Sequence, residues 1–584
     1  MGLPIIVGPM QRVATQGGLA PACGQRQRPR FDMNYSRTLL AASTVLALLP
    51  WINRAYFIDD PLFLWNAEQI QKAPTDYYGG RLNWGGTVAP MVEPIQNPPA
   101  VSYYLALVAS ITGFGEMPMH LAMLVPAVAA SLGLYSIAQR LTNAPLLASA
   151  IGLVTPVFLL SATAVMCDVA MLAFWVWSIA LWIKGLDENK ARDLAVAGLL
   201  MGCCGLTKYF GVALLPLAFV YGCVRLRGPG RWCLWLLIPL AMFTAYELYS
   251  HALYGRYLML GAASYAAETS AEQESGWLNR GLLALVYTGA GVAPVALWMP
   301  WLWSWRTNLV WALATVGLGV AIGTLENLEG APLHSPQGIA WNFLLHLTLF
   351  ASLGVQVVAL TAVDAWRSRD ASSLLLGLWV AGTLAFAAWF NWTISGRTVL
   401  PLAPVVGLLV VRRLSARAEV PGAALAFRRP WGIPLAAGLA LSTLLCWSDA
   451  STAQHEKEAA LNLAAKHRRS DANTLWFEGH WGFQYYLERA GAKCVDYYAS
   501  DIAPGDVILV QNDNAGVNLT PKVWQVIEVL DSPVPSWITT NSRDAITSFY
   551  SHIMGPLPYC FGHVPPRRYV VFLARERYTF QPRK

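Results

Sequence analysis

The chain has 584 residues, 55% of them hydrophobic and only 13% charged, with a mean hydropathy of +0.41. That balance excludes an ordinary soluble protein and points to an α-helical polytopic membrane protein; its 25 Trp, 23 Tyr and 20 Phe suit rings that settle at two water–lipid boundaries. The net charge of +7 is read through loop position, because no basic patch interleaved with aromatic residues argues for nucleic acid.

Residues 1–35 show no clean periodicity, and Arg26, Arg28 and Arg30 precede the first apolar run. They read as a disordered cytoplasmic leader. A cleaved signal peptide is disfavoured, because the hydrophobic segment comes too late and no small-residue cleavage pattern follows it.

A crossing helix needs about 20 mostly apolar residues. Runs at roughly 37–55, 118–139, 143–162, 166–184, 192–207, 209–226, 232–253, 281–303, 307–323, 340–364, 373–391, 396–413 and 431–448 meet that need, about thirteen in all. Arg37 opens the first, Arg140 follows the second, Lys184, Lys190 and Arg192 the fourth, and Arg225, Arg227 and Arg231 the sixth. Arg306 follows the eighth, Arg367 and Arg369 the tenth, and Arg412, Arg413, Arg417, Arg428 and Arg429 the twelfth. Every second loop is basic, which assigns those loops to the cytoplasm. Residues 97–115 are apolar enough to tempt a further crossing, but a full one there would reverse this parity. They are expected to form an interfacial helix, opened by Pro98 and Pro99, in a long outer loop 56–117.

By the same parity Asp59, Asp60, Asp168, Lys208, Arg397 and everything after 449 face outward. The transmembrane part is expected at 36–449 and a small extracytoplasmic α/β domain at 450–584, where charges, Asn and Gln rise. "NTLWFEGH", "GDVILVQN", "VWQVIEVL" and "RRYVVFLA" read as strands, and "WGFQYYLERAG" as a helix ending at Gly491. The aromatic cluster of Trp476, Trp481, Phe483 and Tyr485 reads as core rather than a sugar platform. The domain is expected to cap the outer cavity or help hold an acceptor. Of the nine cysteines, six lie in apolar runs as small buried thiols, and Cys494 and Cys560 are candidates to pair if this part is extracytoplasmic. No Walker, Rossmann or HExxH pattern supports ATP-driven transport or zinc protease chemistry.

Asp59 and Asp60 follow the first apolar run, and Asp168 starts another, where an ionisable side chain is expensive and often functional. Solvated carboxylates beyond a helix end, or a cap favoured by the macrodipole, are the bland alternatives.

"FIDDPLFLWNAEQI", "QNPPAVSYYLAL", "YSIAQRL", "TPVFLLSATAVMCDVAMLAFWVWSIAL" and "GLTKYFGVALLPLAF" occur in that order over residues 55–225, with a weaker continuation in "SGRTVLPLAPVVGLL" at 395–409. This order resembles the GT-C glycosyltransferases that take sugar from a polyprenyl phosphate, within them the protein O-mannosyltransferase and lipid A aminoarabinose transferase branch. The resemblance implies inverting transfer at the outer face of a plasma or inner membrane, from an undecaprenyl- or dolichyl-phosphate sugar to a protein, lipid or glycan hydroxyl. Asp59 matches the acid most often given the role of base, with Asp60 and Asp168 orienting acceptor or neighbouring groups. Arg397, then Lys208 with Tyr209, and Arg256 are the candidates to hold the donor phosphate; for each one, snorkelling to the interface is the commoner alternative. Several relatives use a divalent ion, but the sequence offers no dedicated ligand set. Gln96 and Asn97 stand where the lipid A branch has Glu-Lys before Pro-Pro, and Asp60 where many relatives have Glu, so acceptor identity does not carry over. The competing readings are a transporter or flippase of lipid-linked saccharides, expected to place charge at the bilayer midplane in related halves, and an O-antigen-type polymerase or ligase, expected to have a large late outer loop.

Overall fold

The computed structural model describes residues 33–272, 276–336, 338–417, 431–468, 473–516 and 523–580. Nearly all of the expected leader, and Arg428 and Arg429, lie outside the described residues.

The first helices in chain order are α1 (Met33–Leu48), α2 (Asp60–Lys72), α3 (Ala100–Thr112), α4 (Glu116–Leu141), α5 (Pro145–Leu153), α6 (Pro156–Ala162) and α7 (Cys167–Glu188). They are followed by α8 (Ala191–Thr207), α9 (Leu214–Leu226), α10 (Leu237–Tyr254), α11 (Leu258–Glu272), α12 (Trp277–Gly291), α13 (Met299–Leu302) and α14 (Trp305–Gly323). The remainder are α15 (Trp341–Ser368), α16 (Ala371–Ala385), α17 (Gly396–Val399), α18 (Leu402–Arg417), α19 (Gly432–His467) and α20 (Trp481–Arg489).

Each expected apolar run is helical over most of its length, though the runs are not thirteen equivalent crossings. Among the described residues eight helices are long and apolar enough to cross a membrane, or ten if each of two bent pairs counts as one span. The bends, 66° at α5/α6 and 70° after α12, fall just before Pro156 and Pro294. Proline removes a backbone donor and turns its predecessor away from helix. The runs beginning at 37, 192 and 396 lie on α1, α8 and α18, of 16, 17 and 16 residues. At 1.5 Å per residue these reach about 25 Å. α3, with 13 residues, reaches only about 20 Å and is too short for a full crossing.

α7 lies at the centre: 78% of its apolar window is buried against other elements, against 6% for α14. Small residues let neighbouring backbones touch, as membrane helices require where apolar side chains gain nothing by leaving lipid. A Cβ on Gly407 of α18 would sit 2.1 Å from the Ala148 carbonyl of α5, and one on Gly354 of α15 would sit 2.2 Å from that of Leu285 in α12.

The composition change at 450 falls inside α19, which runs on for 36 residues, about 54 Å. Beyond it stands a five-stranded mixed sheet in the order 524–532, 567–574, 507–511, 475–478, 493–494. The first two pairings are antiparallel and the last two parallel, with α20 as the crossover between 475–478 and 493–494. All four expected strands and the expected helix are found there. Phe477, Phe483 and Tyr569 share one continuous buried cluster with Phe57 and Trp175, and Tyr485 is likewise buried in it. Cys494 and Cys560 are unpaired thiols in different sheets, so the candidate disulfide is not formed.

Candidate active site

The segment between α1 and α2 is held in an unusual backbone conformation. Ile58 has φ +51°, the left-handed region that a β-branched residue rarely occupies. The turn sends the next two carboxylates in different directions. Asp60 points inward and is 0% exposed; its Oδ2 accepts from Phe57 N at 2.9 Å and Arg54 Nη1 at 3.1 Å, and its Oδ1 accepts from Val165 N at 2.8 Å. Burial pushes its carboxyl up to about 6, opposed by the Arg54 charge and the two amide donors. Arg54 also donates to Asp449 Oδ2 of α19 at 2.8 Å, to the Thr163 carbonyl at 3.2 Å and to the Tyr550 hydroxyl at 3.2 Å.

Asp59 faces the other way, with its side chain 28% exposed, and its Oδ2 accepts from Arg397 Nη2 at 2.7 Å. The same guanidinium places Nη1 3.9 Å from Asp168 Oδ2, and Lys208 Nζ donates to Asp168 Oδ1 at 2.5 Å. Four charges from four stretches of chain therefore form one row, Asp59, Arg397, Asp168, Lys208, with no net charge. Asp168 comes from the first turn of α7, where the macrodipole favours an anion, and Lys208 from the C-cap of α8. Arg397 stands in α17, entered through a capping box between Ser395 and Thr398. Two atoms in the row, Asp168 Oδ2 and Arg397 Nε, are buried without a hydrogen-bond partner. Buried polar atoms are rarely left so. A partly exposed carboxylate, two partly exposed cations and unused hydrogen-bonding capacity make a polar cluster suited to an anionic ligand.

The other predicted residues lie apart from this row. The Tyr209 hydroxyl pairs with that of Tyr246 at 3.0 Å, next to Lys208 in sequence but engaged with α10. Arg256 sits 3.7 Å from Glu93, both half exposed, and reaches none of the three aspartates. Asn97 approaches the base of α7, its Oδ1 3.6 Å from Cys167 Sγ. Among the described residues no group of three or more His, Cys, Asp or Glu is placed to hold a metal ion. Each acid of the row already faces a cation, so this donor set does not fit a divalent ion.

Arg54, Asp449 and Tyr550 were not anticipated from sequence. Arg54 offered one signal, a guanidinium at the end of an apolar run and five residues before Asp59; its partners at 449 and 550 are too distant in sequence for spacing to reveal.

Residues 96–246 match the family model described as dolichyl-phosphate-mannose-protein mannosyltransferase. The expected resemblance to glycosyltransferases is borne out over this segment. The matched segment carries Asp168, Lys208 and Tyr209 and leaves Asp59, Asp60, Arg256 and Arg397 outside it. No curated protein matches the chain in sequence. Among solved structures, the oligosaccharyltransferase of Archaeoglobus fulgidus tethered with an acceptor peptide is similar at 13% identity and TM-score 0.45, over 80% of this chain and 64% of that one. The chain thus spans less than two thirds of that protein. ArnT of Cupriavidus metallidurans bound to undecaprenyl phosphate gives 13% identity and TM-score 0.40 over 82% of this chain and 93% of that one. The arabinofuranosyltransferase AftD from Mycobacteria gives 13% and 0.40 over 93% and 40%.

Proposed function

We propose that this glycosyltransferase moves a sugar from a polyprenyl-phosphate donor to an acceptor hydroxyl at the outer membrane face with inversion, Asp59 being the base. The observation that carries the reading is the single row in which Arg397 touches Asp59 and lies beside Asp168, itself held by Lys208. The donor phosphate competes with the carboxylates for Arg397 and Lys208, since guanidinium binds phosphate oxygens as well as it binds carboxylate. Loss of the Arg397 contact leaves Asp59 open to accept the acceptor's hydroxyl proton. The hydroxyl oxygen then bonds to the anomeric carbon as the bond to phosphate oxygen breaks, and the lipid phosphate leaves with that electron pair. Arg397 and Lys208 meet the charge that develops on it. Asp168 positions both cations, and Asp60, locked by Arg54 and two amides, fixes the turn that presents Asp59. The domain at 450–584 belongs on the same outer face and supports this site from beneath, while Arg256 has no part in it.

The test is transfer of labelled sugar from undecaprenyl or dolichyl phosphate by the purified full chain, with envelope fractions as acceptor. Asp59→Asn is expected to lower turnover by about 10²- to 10⁴-fold, the usual reach of general base catalysis. Asp168→Asn should raise KM for the donor and also lower kcat. Full turnover in both variants removes the mechanism.

A further inference from the structure

At the far end of the bundle the helix ends of α4, α15 and α18 enclose a second polar site. The span of α7 measures its distance from the aspartates: Asp168 is in the first turn, whereas Glu188 in the last accepts from Arg140 Nη2 at 2.8 Å. Twenty residues at 1.5 Å separate the two by about 30 Å. Arg140 lines a cavity of about 410 Å³ with Arg367, Arg412 and Arg413, the apolar side chains of Leu360 and Val363, and the carboxylates Asp364 and Asp370.

The four arginines are not equivalent. Arg140 is satisfied by Glu188, and Arg412 donates to both oxygens of Asp364, at 2.9 and 3.1 Å. Among the described residues, neither Arg367 nor Arg413 has a carboxylate within ion-pair distance. Arg367 is exposed. Arg413 is only 8% exposed, gives its Nε proton to the Leu302 carbonyl at 3.1 Å and lies 5.0 Å from the Trp303 ring centroid. Its Nη1 is buried with no partner, and Arg367 and Arg417 add like charge beside it. A snorkelling arginine keeps its head in water. Arg413 instead holds its head inside a cavity, where an unused N–H of a cation is costly unless an acceptor arrives.

We infer that this cavity takes the phosphate headgroup of an anionic phospholipid, on the membrane face opposite the aspartate row. Arg413 Nη1 supplies the buried donor and Arg367 the second charge, while Leu360 and Val363 give the first acyl carbons an apolar wall. Helix ends at the water–lipid boundary are where a headgroup, unlike a free solute, brings its own chains into register with such a wall. Basic pockets between spans recognise lipid phosphates in this way.

The test uses the full chain in phosphatidylcholine nanodiscs doped with phosphatidylglycerol, with lipid retention read by native mass spectrometry. Wild type is expected to retain phosphatidylglycerol over phosphatidylcholine. Arg413→Gln should lower that preference about tenfold and Arg367→Gln about fivefold, in line with one charge-assisted contact and one surface charge. Arg231→Gln, an exposed basic residue outside the cavity, should change it less than about twofold. Arg367→Gln removes an exposed side chain, so it keeps the test decisive if the buried substitution unfolds the chain. Unchanged retention in Arg367→Gln overturns the proposal. So does displacement by millimolar inorganic phosphate without lipid preference, which makes the cavity a site for soluble anions only.

Discussion

Adjacent aspartates with one side chain partly exposed and one sealed inside show how little residue type decides by itself. Asp59 and Asp60 carry the same group, yet Ile58 at φ +51° turns the first toward Arg397 and buries the second against Arg54. Their prominence was legible, because carboxylates beside apolar runs are costly. Their division of labour was not, since it depends on contacts 338 residues away for Asp59 and 105 for Asp60. A pH measurement separates them. The Asp60 carboxyl, near 6 when folded and about 4 when unfolded, binds its proton more tightly in the native state. Its contribution to stability is therefore fully present below about pH 4, and is lost as pH rises through about 6. Thermal unfolding of wild type and Asp60→Asn between pH 4 and 7.5 should show wild type losing ground relative to the variant across that window and running parallel above it. A difference that stays constant with pH contradicts the assignment.

At the scale of single elements, apolar runs marked the helices well but said little about how one helix ends on another. α17 is four residues long and carries Arg397, and nothing in its own sequence indicates what holds it. The answer is a close approach: Gly396 N donates to the Phe549 carbonyl at 2.8 Å, and a Cβ on Gly396 would stand 2.0 Å from the Phe549 ring. That ring is buried, and His552 beside it pairs with Ile394 through both Nδ1 and backbone N. Gly396→Ala must shift α17 or the ring. The expected result is a loss of about 1 to 3 kcal/mol in unfolding stability, as overpacking costs, with transfer falling up to about 100-fold because Arg397 moves relative to Asp59. A variant with wild-type melting and wild-type kinetics shows that α17 tolerates the displacement. α19 hid its length in the same way. The polar composition after 450 suggested a new domain, but Glu456 and Lys457 are polar because they face Arg567 and Glu116, not because the helix has ended.

The whole molecule is legible in sequence as a bundle plus a sheet, and illegible in how the two are joined. One cluster of buried side chains runs through both, and three of the polar seams between them are carboxylates capped from the other side. Asp449 of α19 accepts from Thr540 Oγ1 at 2.8 Å and from Tyr550 as well as from Arg54. Glu456 accepts from Phe483 N at 3.0 Å, from Gln511 Nε2 at 2.9 Å and from Arg567. Glu116 at the start of α4 accepts from Tyr486, whose hydroxyl in turn accepts from Tyr56 N at 2.8 Å. None of these partners lies near its carboxylate in sequence, so only the folded chain reveals them. A purely accessory cap could be removed without harm to the rest, whereas a shared core could not. Truncation after His467 strips donors from all three carboxylates at once and removes Phe549, Tyr550 and His552 from beneath Arg397 and Arg54. Asp449 and Glu116 keep Arg54 and Lys457, but Glu456 is left buried without Arg567, and breaking a buried pair costs several kcal/mol, so the truncated chain should melt far below the full chain and transfer sugar to no acceptor. If it instead melts normally and fails only toward particular acceptors, the sheet is a recognition module resting on an independent bundle rather than part of the foundation on which the aspartate row stands.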